Sequence, residues 1–373
     1  MKLFAIYFIS LVFPLTLSAQ RVHLLIGTYT ESDTSKGIYV YRFDLGTGEA
    51  LPVSSIKAQN PSFLAISADR QFVYAVNENG NGLGAVSAFA YNDQRGTLSF
   101  LNRRLTNGDH PCHVATDSRG THVIVANYSG GSLSVFPIGQ AGDLGDMVQY
   151  IQYEGHGPDL QRQDAPHVHS SFFLPGASKL FVQDLGTDKI NVYDFRPDAG
   201  GVPLMAAAQP TISTPPGGGP RHVTFSVDSR FMYVVQEMAA TVLGYSKQGD
   251  RWEMIQEVPI NEAGFDGNDG AADIKLSPDG RFLYASNRGE ANTLAIYRVD
   301  GSSGMLTKVG NQPTLGGGPR NFTISPDGKF LLVANQQSDE VVVFERDVDT
   351  GHLRDTGRRI NVASPVCLVF AGN

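Results

Sequence analysis

The stretch Gly217–Glu237 reads GGGPRHVTFSVDSRFMYVVQE, and Gly316–Gln336 reads GGGPRNFTISPDGKFLLVANQ. The two have the same length and the same apolar pattern. A related segment, DGAADIKLSPDGRFLYASNR (Asp269–Arg288), lies midway between them. Upstream stand NPSFLAISADRQFVYAVNE (Asn60–Glu78) and HPCHVATDSRGTHVIVANY (His110–Tyr128), with a looser copy, APHVHSSFFLPGASKLFVQD, at Ala165–Asp184. SPVCLVF (Ser364–Phe370) begins one more. The seven anchors Pro61, Pro111, Pro166, Pro220, Ala271, Pro319 and Pro365 are 46 to 55 residues apart. A chain of this length would ordinarily hold two or three domains, unless a repeat makes it one.

Each repeat alternates short apolar runs with turn residues. In the first, FLAIS, FVYAVN, AVSAFAY and TLSFLN are four strands in Phe63–Asn102. SPDGR and SPDGK are Pro-Asp-Gly turns. No run of ten or more residues holds a helical period. Four strands in about fifty residues is the plan of a β-propeller blade. At the N-terminal end, HLLIGTYT, GIYVYRFD and ALPVSSIKA supply three strands with no innermost strand before them. CLVFAG at the other end supplies one innermost strand. Together they complete a seventh blade and leave no open sheet edge. The expected fold is therefore all-β, a seven-bladed propeller of four-stranded antiparallel blades, forming one domain over 20–373. A stacked solenoid has no use for such a split.

The first twenty residues, MKLFAIYFISLVFPLTLSAQ, have one lysine, an apolar run from Leu3 to Leu17 and the small pair Ser18-Ala19. This is the plan of a secretory signal peptide over 1–19, cleaved before Gln20. A membrane anchor wants ~18 or more apolar residues, and Pro14 interrupts the run. No other stretch is long and apolar enough to span a bilayer. The expected location is periplasmic or secreted. The net charge of −8, with no basic run, excludes nucleic acid and anionic membrane surfaces as partners. The expected assembly is a monomer or weak dimer. Two cysteines, Cys112 and Cys367, make no disulfide framework. They read as buried thiols, with one bridge as the alternative in an exported protein. No zinc spacing is present, and neither metal nor other cofactor is expected.

In a blade the innermost strand starts at one face of the central channel, and the second strand returns to that face. The two sets of ends are related by a constant offset of 16: Ser62 to Glu78, Cys112 to Tyr128, Arg221 to Glu237, Ala272 to Arg288, Arg320 to Gln336. In the third blade the ends are His167, His169 and Asp184. One mouth thus collects His113, His167, His169, Arg221, His222, Glu237, Asp273, Arg288, Arg320 and Asn321. Arg221 could pair with Glu237, and Arg288 with Asp273, as staples between inner strands. The remaining cations exceed the available carboxylates. That surplus suits an anionic ligand, and arginine's fork of donors suits a carboxylate or phosphate. GTYT, ANYSGGS (Ala126–Ser132) and SNRGEAN (Ser286–Asn292) read as polar loops at the same mouth, with Tyr128 and Asn127 able to bond a polyhydroxylated ligand. The glycine runs lack the helix and Lys-Ser/Thr of a nucleotide loop. They read as tight turns into a crowded channel. No G-x-S-x-G elbow occurs.

Taken together, GTYT, HPCHV, NYSGGS, APHVHS, DLGTDKI, GGGPRH, VVQE, SPDGRFLYASNRG, GGGPRNF, LLVANQ and SPVC resemble the seven-bladed lactonase family. That family includes the propeller-type 6-phosphogluconolactonases and the fungal carboxymuconate lactonizing enzymes. The resemblance covers nearly all of the chain after residue 19. It implies a histidine, two arginines and a glutamate as active-site residues: His169 (with His167 the nearby alternative), Arg221, Arg288 and Glu237. Gln236 stands where the family usually has asparagine, and Asp273 where glutamate is common. The implied activity is hydrolysis of a sugar-acid or related lactone, and the implied partner is a small anionic lactone or carboxylate substrate. His169 would be the base. Arg221 and Arg288 would hold the oxyanion. Glu237 would orient them or donate the proton to the leaving hydroxyl. His167, His113, His222, Asp273, Arg320, Asn321 and Tyr128 would line the substrate site. The same groups could run lactonization of a muconate, and an exported carbohydrate- or partner-binding propeller is the non-catalytic alternative.

Overall fold

The computed structural model describes residues 21–31, 34–199 and 201–371. The expected signal peptide, 1–19, lies outside the described residues. Among the described residues twenty-eight strands form seven four-stranded antiparallel sheets, so the chain is an all-β, seven-bladed propeller. The innermost strands of blades one to six are Leu64–Ile66, Pro111–Thr116, Val168–Phe173, Pro220–Phe225, Ala271–Leu276 and Pro319–Ile324. Blade seven joins both ends of the fold. The terminal strand Pro365–Phe370 is innermost and pairs with Arg21–Thr28, followed by Gly37–Asp44 and Ala50–Lys57. The split expected from the sequence is therefore present strand for strand.

Strands form here because apolar residues alternate with period two and are β-branched or aromatic. Both faces of the middle strands are covered by neighbouring blades, so these strands read as continuous apolar runs. Phe231–Gln236 and Phe282–Asn287 are buried along their whole length. The core lies between blades rather than inside a shell. Between blades three and four, for example, Phe181 meets Trp252 edge-on, with ring centroids 5.6 Å apart. Aromatic contacts of this kind add about 0.5–1.5 kcal/mol beyond area burial. A second device recurs at the outer seams. The hydroxyls of Tyr74, Tyr233 and Tyr284 donate to the carbonyls of Gly142, Gly304 and Gly351 in the next blade, at 3.0, 2.8 and 2.8 Å. Each buried hydroxyl is thereby satisfied.

One register feature positions the functional residues. At the start of the innermost strand the pairing slips by one residue in blades two to six, between Pro111 and His113, Val168 and Ser170, Pro220 and His222, Ala271 and Ile274, and Pro319 and Asn321. Such a bulge re-aims a side chain that a regular strand would have sent to the other face. The residues released are Cys112, His169, Arg221, Ala272 with Asp273, and Arg320. Blade two departs from the regular plan. Its outermost strand is only Gln149–Gln152, and the long connection that follows brings Arg162 to Glu237 of blade four before blade three begins.

Candidate active site

The bulges bring residues of several blades to one cavity at the hub. It is lined by Ser62, Phe63, Cys112, His169, Arg221, His222, Arg320, Asn321 and Val366. Two consecutive residues of a strand, Arg221 and His222 or Arg320 and Asn321, face it together. That is what a bulge permits and regular alternation forbids.

Glu237 is the centre of charge. Its Oε2 accepts from Arg221 Nε at 2.9 Å and lies 3.0 Å from Arg288 Nη2, while Oε1 accepts from Arg162 Nη2 at 2.7 Å. Burial alone would raise this carboxyl, but Arg288, Arg221 and Arg162 overcome burial and hold it at about 2. Glu237 is therefore a carboxylate throughout the neutral range. Arg221 is only 2% exposed, so its charge needs these partners. It also donates through Nη1 to the Ala272 carbonyl and lies 3.4 Å from His222 Nε2. Burial and Arg288 lower Arg221 to about 10, which leaves it protonated at neutral pH. Arg288 donates to the Gly270 carbonyl at 2.8 Å, and burial lowers its pKa despite Glu237.

His169 sits beside this cluster, with Nε2 4.0 Å from Glu237 Oε2 and Nδ1 3.9 Å from Cys112 Sγ. Burial, then Arg221, His222, Arg320 and Arg288, push its pKa well below the ordinary histidine value. The ring is neutral. His167 lies elsewhere: it stacks on Tyr128, with centroids 4.6 Å apart, and faces Asp164 at 3.4 Å. The structure thus separates the two histidines. His169 is on the cavity and His167 is on the rim.

His113, His222, Asp273 and Asn321 were expected at the same mouth. They form a second polar network, one position further along the strand than the bulged residue, and His222 and Asn321 of it line the same cavity. Asp273 is its hub: Oδ1 accepts from His222 Nδ1 at 2.9 Å, and Oδ2 accepts from Asn321 Nδ2 at 2.7 Å and pairs with Lys275 at 3.1 Å. Lys275 and His222 outweigh burial and depress the Asp273 carboxyl far below its usual range. Burial and Arg221 in turn lower His222 to about 4. His113 is held between Phe63 and Phe172, at centroid distances of 4.2 and 4.6 Å. The pairing of Arg288 with Asp273 considered from the sequence does not occur. Arg288 reaches Glu237 instead, one blade back.

Arg320 lies over the Tyr29 ring at 5.4 Å. Tyr29 donates to Glu78 Oε2 at 2.9 Å, and Ser62 donates to the same oxygen. Arg162, Tyr29 and Glu78 were not singled out as site residues. Glu78 and Ser62 do share the offset of 16, but Arg162 lies in the irregular connection between blades two and three, where no register exists to place it. Cys112 and Cys367 are both buried free thiols. Among the described residues no group of three or more His, Cys, Asp or Glu side chains is placed to hold a metal ion, and no helix is long and apolar enough to cross a membrane.

Comparison with known proteins adds four findings. The family described as "Lactonase, 7-bladed beta-propeller" matches residues 23–370. A 6-phosphogluconolactonase of Formosa agariphila is 35% identical over 334 residues, covering 89% of this chain and 94% of that protein. One of Bacillus subtilis is 34% identical over 349 residues, covering 92% and 97%. Among solved structures, the periplasmic gluconolactonase of Pseudomonas aeruginosa superposes with a TM-score of 0.90 at 38% identity, over 94% of this chain and 99% of that one.

Proposed function

The chain belongs to the seven-bladed β-propeller lactonase family, and we propose that it hydrolyses sugar-acid lactones at the hub. The observation that carries this reading is one carboxylate, Glu237, holding Arg162, Arg221 and Arg288 beside a neutral His169. The names of the relatives, 6-phosphogluconolactonases and a gluconolactonase, support the substrate class.

Lactone hydrolysis needs a base for water, donors for the carbonyl oxygen and an acid for the ring oxygen. Neutral His169 takes a proton as water attacks the carbonyl carbon. The oxyanion forms against Arg221 and Arg288, whose orientation Glu237 fixes. Preorganised donors of this kind act at full strength in a site shielded from water. The oxyanion also cancels part of the positive field that keeps His169 a weak base, so the imidazole gains basicity as the intermediate forms. Collapse breaks the bond from carbonyl carbon to ring oxygen, and the His169 imidazolium returns its proton to that oxygen. Glu237, kept ionised by three guanidinium groups, has the orienting role. The surplus of arginine over carboxylate at the mouth favours the oxyanion that forms on the lactone and the carboxylate product.

The signal-peptide pattern of residues 1–19 and the periplasmic relative support export. An exported enzyme meets free sugar lactones rather than sugar phosphates. The test is a panel of free-sugar, phosphorylated and dicarboxylic lactones given to the purified protein. Sugar-acid lactones are expected to turn over, and His169→Ala is expected to lower kcat by ~10²–10⁴-fold while keeping a cooperative melt. No turnover of any lactone rejects the function. Full rate in His169→Ala rejects the base.

A further inference from the structure

Glu78 and Glu237 hold the same register position, each 16 residues after its cavity partner, Ser62 or Arg221. Their surroundings differ. Both oxygens of Glu237 are taken by arginines. At Glu78, Tyr29 and Ser62 share Oε2, and Oε1 has no partner among the described residues. Arg320 repeats the contrast. It matches Arg221 in register, yet its guanidinium makes no hydrogen bond or ion pair among the described residues and only lies over the Tyr29 ring. Arg320, Tyr29, Glu78 and Ser62 come from blades six, seven and one. His169, Arg221 with Glu237, and Arg288 come from blades three, four and five. The ring therefore sets the two groups on opposite walls of one mouth.

We propose that the Arg320–Tyr29–Glu78 wall is a hydroxyl-reading subsite that selects polyhydroxylated lactones. This rests on the lactonase reading of the facing wall. A carboxylate oxygen only accepts and a guanidinium only donates. Joined through Tyr29, which Arg320 overlies and which donates to Glu78, and both with free capacity, they match a hydroxyl, which does both. The phenol ring of Tyr29 gives the sugar ring an apolar face between them. The same wall discriminates against dicarboxylic lactones. A second carboxylate has no hydroxyl proton to give Glu78 and meets its like charge. The subsite thus favours sugar-acid lactones over muconolactones in a fold that serves both.

Two measurements on the full-length protein test this. The first is binding of gluconate against 5-hydroxyvalerate, which keeps the carboxylate and chain but lacks the intervening hydroxyls. The second is kcat/KM on glucono-δ-lactone against δ-valerolactone. The wild type is expected to bind gluconate at least tenfold more tightly. Glu78→Ala and Arg320→Ala are expected to erase that preference. Their loss of kcat/KM on gluconolactone should exceed the loss on valerolactone by about 10-fold or more, the scale of one hydrogen bond to a charged group. Glu78→Gln, of the same shape, carries the test if Glu78→Ala does not fold. Equal binding of the two acids by the wild type, or variants that keep the preference or lose both acids equally, overturns the subsite. A wild type that prefers gluconate but opens no lactone leaves the subsite standing and rejects the lactonase reading instead.

Discussion

At the scale of single residues, the site works by holding ionisation states apart. Glu237 stays a carboxylate because Arg288, Arg221 and Arg162 surround it, and His169 stays neutral because its burial, then Arg221, His222, Arg320 and Arg288, oppose a proton. The sign of the pH effect follows. A histidine with a lowered pKa keeps its base form as pH falls, so activity should not show a limb at histidine's ordinary value near 6.5. The expected profile of kcat/KM is flat from neutral pH down through histidine's ordinary value, with the fall lying well to the acid side of it. A half-maximal point near 6.5 that disappears in His169→Gln would show that the ring is not depressed. The residues legible in the sequence are those tied to the repeat: Arg221, Glu237 and Arg288 stand at strand ends related by the offset of 16, whereas the repeat leaves His167 and His169 both open and only the family resemblance favours His169. Arg162 is not legible, because a loop has no period. The partner of Arg288 is not, because Glu237 and Asp273 are both within one blade of it and only side-chain direction separates them.

At the scale of elements, the repeated GGGPR phrase is a loop that delivers an arginine to the hub. Gly217 and Gly219 have φ of +78° and +68°, a region other residues adopt only with strain. Their amides are held by the Asp188 carboxylate of the preceding blade at 2.7 and 2.8 Å. In the second copy the Gly318 amide is held at 2.8 Å by Asn292. A side chain on Gly219 would also stand 3.0 Å from Leu185 and 3.2 Å from Met238. Gly219→Ala is thus expected to cost about 1–2 kcal/mol and to lower kcat at least tenfold, because Arg221 follows two residues later. Gly176→Ala is the control. Its φ is +69° with open space around it, in a hairpin at the other end of blade three. It should lower stability comparably and leave turnover intact. Equal kinetic loss in both variants would show that the loop does not place Arg221. The strands themselves were legible from alternation and turn residues. The bulge was not. It adds no residue type to the sequence, yet it decides that Arg221 and His222 share the cavity.

At the scale of the molecule, a closed ring turns a linear repeat into two facing walls. The sequence period was enough to count seven blades, and the split seventh blade was readable because three strands at one end and one at the other are complementary. What the period could not show is which partner each residue takes. The repeat treats Arg221 and His222 as neighbours at one mouth, and both do line one cavity, yet they belong to two networks, one on Glu237 and one on Asp273. Nor could it show that equivalent positions take different work, with Glu237 saturated and Glu78 open. The central claim is that one substrate is held between these walls, its carbonyl toward Arg221 and Arg288. The most direct measurement is a crystal structure with gluconolactam, which keeps the ring hydroxyls but resists hydrolysis. The account predicts its carbonyl oxygen hydrogen-bonded to Arg221 or Arg288, its carbonyl carbon facing His169 and a ring hydroxyl on Glu78. A ligand seated at the opposite end of the channel, or at the hub with its carbonyl turned away from both arginines, would contradict it.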